Sequence, residues 1–206
     1  MKVLLINGSP HEKGCTCTAL SLIAGELKAQ GIETEILHVG GQPVGGCIGC
    51  GGCRSGNGCV FGGVVNEAIE KAKTADAFVF GSPVHYASAA GNMASFMDRL
   101  AYAGGKYLAY KPAAVCCSAR RAGTTSTLDQ LVKYPQFFHM PLVNGSYWAM
   151  VHGSNPEQVL QDAEGCAVMQ ELGRNMAWLL RCIEAGKAAG IDHPQNPPRP
   201  MTNFIR

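Results

Sequence analysis

The chain has 206 residues, of which 47% are hydrophobic and 16% are charged, and its formal net charge is +2. This composition is typical of one folded domain and argues against a disordered chain. So small and scattered a charge does not favour nucleic acid or an anionic membrane as a partner. No apolar run approaches the ~20 residues of a membrane span, and positions 3–6 are too few for a signal peptide, so we expect a cytoplasmic protein.

The first eighteen residues, MKVLLINGSPHEKGCTCT, predict a strand, a turn and the start of a helix. Residues 3–6 are apolar without alternation, as a strand buried on both faces requires. Asn7 to Pro10 end the strand, and apolar residues return at helical spacing over 15–30. The turn therefore lies between a parallel strand and a helix N-terminus.

This turn predicts an anion site, because the first N–H groups of a helix lack intrahelical partners and its dipole is positive at that end. The hydroxyls of Ser9, Thr16 and Thr18 can add hydrogen bonds to a phosphate. The spacing fits neither a Walker loop nor G-x-G-x-x-G, because Ser-Pro follows Gly8. The alternative is the ordinary first turn of any α/β protein.

Predicted strands and helices alternate along the rest of the chain. Strands are predicted over 33–39, 77–80, 113–117 and 142–148, and helices over 64–73, 89–103, 128–134 and 155–185, with Asn155 as the N-cap of the last helix. This alternation predicts an α/β fold with a doubly wound parallel sheet, and five strands suit the order 2-1-3-4-5. We assign residues 1–189 to that domain and 190–206, with four of the eleven prolines, to a C-terminal tail.

In that strand order three polar loops meet at the carboxyl ends of the central strands. They are residues 9–18, 83–87 and 118–124, and each is punctuated by glycine or proline or rich in hydroxyl groups. Ligands of open α/β sheets bind in this crevice. The convergence predicts one ligand site there.

Cys47, Cys50, Cys53 and Cys59 follow the spacing C-x2-C-x2-C-x5-C in a glycine-rich segment. Four thiolates this close can surround one metal centre, because glycine permits the turns of positive φ that aim the sulfurs inward. Zinc bound by all four is a competing interpretation, although zinc sites more often pair two separated C-x2-C units. A third interpretation is a surface loop of free thiols.

The segments from Gly8-Ser9-Pro10 to Thr16 and from Gly81-Ser82-Pro83 to Tyr86 resemble the NAD(P)H-dependent FMN reductase family of flavodoxin-like fold. The cysteine cluster is similar to that of its iron–sulfur flavoprotein branch. The resemblance covers about residues 1–185. It implies a three-layer sandwich that binds FMN, and a 4Fe–4S cluster on the four cysteines that exchanges single electrons with FMN.

The resemblance also implies the residues of the flavin site. The phosphate would be held by Ser9, His11, Cys15, Thr16 and Cys17, the isoalloxazine by Pro83, Val84, His85 and Tyr86, and its pyrimidine side by Ser118, Ala119, Arg120 and Arg121. Two features depart from the family. The family often has small residues where this chain has two arginines, and Asn, Ser or Thr is commoner at the two cysteine positions.

Other polar and reactive residues are expected to be structural. Cys116 and Cys117 fall in a buried strand, where cysteine behaves as a small hydrophobe. Asp98-Arg99 is interpreted as a surface pair of a helix, and Tyr147-Trp148 as core packing. No Ser/His/Asp or paired-carboxylate constellation is evident.

The leading hypothesis is an FMN-dependent oxidoreductase that takes hydride from NAD(P)H and reduces a quinone, a small molecule or an iron–sulfur acceptor. The alternative is a non-enzymatic electron carrier or redox-responsive protein reduced by a ferredoxin-like partner. A third reading is a metal-binding protein that has lost FMN. The resemblance further implies a homodimer or homotetramer.

Overall fold

The computed structural model of the chain describes residues 1–198 and 200–204. Its strands are β1 (Lys2–Asn7), β2 (Glu33–His38), β3 (Ala77–His85), β4 (Ser88–Ala89), β5 (Ala113–Ala119) and β6 (Met150–His152). Its α-helices are α1 (Cys15–Ala29), α2 (Val64–Thr74), α3 (Gly91–Gly104), α4 (Thr124–Phe137), α5 (Pro156–Val159) and α6 (Ala163–Ala188). Two 3₁₀ turns lie at Gly52–Ser55 and Gly105–Tyr107.

Five parallel strands form the sheet in the order β2-β1-β3-β5-β6. The two-residue β4, which the sequence did not predict, pairs antiparallel with the end of β3 outside this path. Without β4 the order is the predicted 2-1-3-4-5. The α/β class and the doubly wound sheet are confirmed.

Helices cover both faces of the sheet. Successive residues of its central strands point to opposite faces, so each strand packs on both sides. Val3 and Leu5 pack with α1 and α6 on one face, and Leu4 and Ile6 pack with α2 and α3 on the other. All four side chains are at most 1% exposed. The unbroken apolar run in the sequence therefore reflects burial on two faces, and the fold has three layers.

The strand predicted over 142–148 is wrong in position. Leu142 makes only an isolated bridge to Ala113, and the last strand forms later, as β6. Between them, side chains of α6 bind the backbone, since Ser146 N donates to Glu171 Oε2 at 2.8 Å and Asn175 Nδ2 donates to the Asn144 carbonyl at 2.8 Å. These bonds replace a strand ladder, and they leave Tyr147 and Trp148 51% and 59% exposed instead of in the core.

The single helix predicted over 155–185 is two helices. Asn155 caps α5 as predicted, by accepting a 2.9 Å hydrogen bond from Gln158 N. The chain then restarts at Asp162, whose Oδ1 caps α6 through Gly165 N at 3.0 Å. Its Oδ2 accepts from His152 N at 2.7 Å, which ties the break to the end of β6. A second capping carboxylate thus explains the interruption.

After α6 the chain returns to its own domain. The ring of His193 stacks on Tyr110 with centroids 4.4 Å apart, and Asn196 Nδ2 donates to the Tyr110 hydroxyl at 2.6 Å. Tyr110 also stacks on His139 at 5.2 Å. The division at 190 stays a prediction, and residues 199, 205 and 206 of the tail lie outside the described part. Within the described chain, no helix is long and apolar enough to cross a membrane.

Helices α1 and α6 pack at a glycine, and this contact gives a paired prediction. A Cβ at Gly173 would lie 2.8 Å from both Glu26 Cβ and the Ile23 carbonyl oxygen. Gly173→Ala should lower the free energy of unfolding by about 1–3 kcal/mol through overpacking. Gly25→Ala should raise it by about 0.5–1 kcal/mol, because that position in α1 is open and alanine favours the helix. Urea unfolding of both variants is the measurement, and a Gly173→Ala protein as stable as Gly25→Ala would contradict the packing.

Candidate functional site

The loop after β1 is held by its own side chains. Asn7 Oδ1 accepts a hydrogen bond from Ser9 N at 3.1 Å, and Asn7 Nδ2 donates to the Glu12 carbonyl at 3.0 Å. Ser9 Oγ in turn accepts from His11 N at 3.1 Å, and Ser9 is 4% exposed. The turn predicted at the end of this strand is therefore an ordered loop, with His11 exposed on its rim.

Helix α1 begins directly after this loop with an open N-terminus. Its N-cap is Gly14, which provides no side-chain acceptor, and its first turn contains no acidic residue. The N–H groups of the first turn and the positive end of the dipole are thus available to an anion. Thr16 is buried in that turn and forms a 2.8 Å hydrogen bond with Ser118 at the end of β5.

A hairpin continues β3 into the second predicted loop. The sequence predicted that this strand ends at Phe80. It runs on to His85, because Pro83 still pairs with Ser118 of β5. Tyr86 and Ala87 form the turn with φ of 51° and 57°, a left-handed conformation that is unfavourable for residues other than glycine. Such conformations concentrate at functional sites, and the Tyr86 ring in this turn is fully exposed.

The turn also rests on α4. Ser126 Oγ donates to the Ala87 carbonyl at 2.8 Å. A Cβ at Gly123 would lie 2.8 Å from Ala87 Cα, so the N-cap of α4 touches the hairpin at a position that requires glycine. Val84 is half-buried, and His85 is exposed. The four predicted isoalloxazine residues therefore lie together on one supported hairpin.

The third loop follows β5. Ser118 and Ala119 are buried, and Arg120 and Arg121 are exposed. The loop is held to the end of β6, since Gly153 N donates to the Ala119 carbonyl at 3.0 Å and the His152 ring lies 3.1 Å from the Arg121 carbonyl. The structure thus brings all three predicted loops to one edge of the sheet. Gly8 N joins the first to β3 by a 2.9 Å bond to the Gly81 carbonyl.

The end of β2 supports the first loop, and sequence reasoning missed this. A Cβ at Gly40 would lie 2.1 Å from the Ser9 carbonyl oxygen and 2.6 Å from that of Gly8. The His38 ring lies 2.8 Å from the same Ser9 oxygen. The glycine pair after Val39 was the available signal, because glycine often marks a close approach of two backbones.

Two cysteines of the predicted site region, Cys15 of α1 and Cys117 of β5, are not activated thiols. Burial raises the pKa of Cys15, whose Sγ lies 3.5 Å from the Gly153 carbonyl. Burial likewise raises the pKa of Cys117 to about 12. Neither forms the thiolate that nucleophilic chemistry needs near neutral pH.

The four clustered cysteines line one cavity of about 340 Å³. Cys47 and Cys50 are exposed, and Cys53 and Cys59 are partly buried. Glycines of positive φ separate them, as predicted, at positions 49, 51, 56 and 58. No three His, Cys, Asp or Glu side chains of the described residues are arranged to hold a single metal ion.

Arg99 lies against this loop, so the interpretation of Asp98-Arg99 as a surface pair is wrong. Arg99 is 6% exposed, and its Nε lies 3.2 Å from Cys59 Sγ. Asp98 instead accepts a 2.7 Å hydrogen bond from the Tyr134 hydroxyl, and burial together with this carboxylate raises the pKa of Tyr134. Adjacent residues of a helix point in different directions, and here they serve different neighbours.

Thiol alkylation distinguishes the two environments. In protein freed of metal by a chelator, iodoacetamide at about pH 8 should modify Cys47 and Cys50 at least about 100-fold faster than Cys116 and Cys117, which are buried and protonated. Peptide mass spectrometry over time measures the rates, with urea-unfolded protein as the control. Equal rates in the native protein would contradict the described burial.

The chain resembles known flavoproteins in sequence and in fold. An iron–sulfur flavoprotein of Methanocaldococcus jannaschii is 28% identical over 192 residues, which are 89% of this chain and 100% of that protein. A flavodoxin from the domain Archaea superposes with a TM-score of 0.59 at 13% identity, covering 88% of this chain and 99% of that one. An NADH:FMN oxidoreductase superposes with a TM-score of 0.64 at 17% identity, covering 86% and 89%.

These structural similarities confirm the flavodoxin-like fold, and the iron–sulfur flavoprotein agrees with the predicted branch. Residues 1–155 match the family described as NADPH-dependent FMN reductase. The matched segment contains the three loops at the sheet edge and the cysteine loop. The chain therefore belongs to the NADPH-dependent FMN reductase family.

Proposed function

We propose that this chain is an FMN-dependent oxidoreductase that accepts hydride from NAD(P)H and delivers electrons to a second acceptor. One observation carries the proposal. The chain belongs to this family, and one edge of its sheet brings together the open N-terminus of α1, the β3–β4 hairpin and the β5 loop. The Thr16–Ser118 hydrogen bond joins the first of these loops to the third. FMN, when bound, would supply the two-electron and one-electron chemistry.

The residues at this edge fit FMN. The phosphate would bind the backbone N–H groups of α1, with a set of first-loop residues around it: Ser9, His11, Cys15, Thr16 and Cys17. The absence of a side-chain cap at Gly14 and of an acidic residue in the first turn suits a dianion. Because the pKa of Cys15 is raised, that thiol stays neutral and does not repel the phosphate.

The flavin ring would lie between the hairpin and the β5 loop. The hairpin offers an exposed aromatic ring at Tyr86 beside the other predicted contacts, Pro83, Val84 and His85. Ser118 and Ala119 would lie beneath the pyrimidine side. Arg120 and Arg121 would put two cations next to it, where they would stabilise negative charge on the reduced ring or bind a nicotinamide phosphate.

The cysteine loop would hold a 4Fe–4S cluster. Its support is the position of Cys47, Cys50, Cys53 and Cys59 around one cavity, together with the name of the 28% identical relative. A cluster of this type takes one thiolate at each of its irons. With such a cluster the chain would accept two electrons from a hydride donor and pass them on one at a time.

The alternative function is an electron carrier that exchanges electrons only with a protein. The exposed apolar side chains Ile48, Val60, Phe61 and Tyr102 around the cysteine cavity favour it, because such rims are typical of protein contacts. A ferredoxin-like partner belongs to this alternative, whereas assembly of the chain as a homodimer or homotetramer is proposed for either function.

The deciding measurement is an anaerobic absorption spectrum before and after reduced nicotinamide nucleotide. The flavin bands of the purified protein should bleach within seconds on addition of NADPH or NADH. An added broad brown absorbance would indicate the cluster. Flavin bands that neither nucleotide changes, but that reduced ferredoxin bleaches, would favour the carrier.

The support of the first loop by β2 provides a test of the phosphate site. Gly40→Ala forces the Ser9 backbone to move, so the dissociation constant for FMN should rise at least tenfold, about 1.4 kcal/mol. Fluorescence quenching of FMN by apoprotein measures it. Gly25→Ala is the control and should bind as the unaltered chain does, and unchanged affinity in Gly40→Ala would place the phosphate elsewhere.

A further inference from the structure

Arg99 is a buried cation whose neighbours do not balance its charge. It projects from α3, which packs on the sheet through Phe96 and Leu100, both at most 1% exposed. Within residues 1–198 and 200–204, none of the ion pairs involves Arg99. A buried charge is unfavourable unless it is paired. This arrangement calls for an anion beside the guanidinium.

The guanidinium touches the cysteine loop at three places. Its Nε donates to Cys59 Sγ at 3.2 Å, its Nη2 donates to the Gly62 carbonyl at 3.0 Å, and its Nη1 donates to the Gly45 carbonyl at 3.4 Å. Gly45 precedes the first cysteine of the cluster and Gly62 follows the last. Its Cζ also lies 5.3 Å from the ring centroid of Phe61. One side chain therefore joins both ends of the loop and one sulfur.

The backbone of Cys59, the residue whose sulfur Arg99 contacts, is held by a second side chain. Asn66 of α2 accepts from Cys59 N at 2.8 Å and donates to the Cys59 carbonyl at 3.0 Å. A Cβ at Gly58 would lie 2.8 Å from the Asn66 side chain, so this close approach requires glycine. Since Cys59 and Arg99 are fixed from two helices, their contact does not depend on the exposed half of the loop.

We propose that Arg99 is a positioning residue that supplies the counter-charge for the anionic, thiolate-bound group held by Cys47, Cys50, Cys53 and Cys59. This rests on the cluster assigned under the proposed function, and it adds a residue that is not a ligand. An N–H donor and a positive charge at a ligand sulfur stabilise the more negative, reduced form of a cluster. Arg99 therefore raises the reduction potential and favours retention of the cluster.

The test compares Arg99→Gln and Arg99→Lys with Arg54→Gln, which removes an exposed cation lining the same cavity. Each protein is reconstituted anaerobically with iron and sulfide, and its potential is measured by redox titration followed by absorption. In Arg99→Gln the one-electron reduction constant should fall at least tenfold, a shift of about 59 mV to lower potential. Arg99→Lys keeps the charge but loses the planar fork, so its potential should lie between those of Arg99→Gln and the unaltered chain. The potential of Arg54→Gln should equal that of the unaltered chain.

The outcomes separate this inference from the proposed function. A wild-type chain that assembles no cluster, by iron and acid-labile sulfide content, would overturn this inference and the cluster assigned to the cysteine loop, whereas the flavin function fails only if its bands do not bleach with reduced nicotinamide nucleotide. A cluster in every variant at one common potential would overturn only the role of Arg99. If Arg99→Gln does not fold, by circular dichroism, Arg99→Lys decides, and a potential equal to that of the unaltered chain counts against the proposal.

Discussion

At the centre of the sheet β1 pairs with β3 in parallel, from Val3 opposite Ala77 to Asn7 opposite Gly81. Because both strands are buried on two faces, a shift of register would expose apolar side chains or leave backbone groups unpaired. The pairing therefore fixes the position of the end of β1 relative to β3, which continues beyond it along β5. The loop that follows each strand begins at one edge, and everything assigned to the flavin site is built on that edge.

The loops themselves are held by short polar contacts rather than by burial. Asn7 folds the first loop, Thr16 joins it to Ser118, and the backbone at Gly40 closes against Ser9. Removing both partners of a buried hydroxyl pair changes the stability little, whereas removing one leaves the other unpaired and lowers the stability more. The site is thus preorganised by groups that could also turn toward a ligand, while the apolar layers beneath it keep the framework rigid.

Much of this arrangement could be predicted from the sequence, because its cause is local. The apolar run before Asn7 and the helical period after Cys15 determine β1, the loop and α1, and strand order then brings the three loops together. The position of β6 could not be predicted, since Glu171 and Asn175, far along the chain, bind the segment that pattern alone assigns to a strand. Arg99 was missed for the same reason. A charged residue on an amphipathic helix looks exposed until the loop that covers it is known.

Helix α3 relates the two candidate sites to each other. A Cβ at Gly8 would lie 2.7 Å from Met93, so the start of α3 touches the first loop, and Asn92 beside it binds the carbonyls of Gly40 and Gln42. Arg99 reaches the cysteine loop six residues farther along, about 9 Å at the rise of an α-helix. One helix, buried on the face that packs on the sheet, thus lies between the edge proposed for the flavin and the cavity lined by the four cysteines. Electron exchange between the groups proposed for these two places requires that their separation stay constant. A helix anchored in the core by Phe96 and Leu100 holds the two places in a fixed relation.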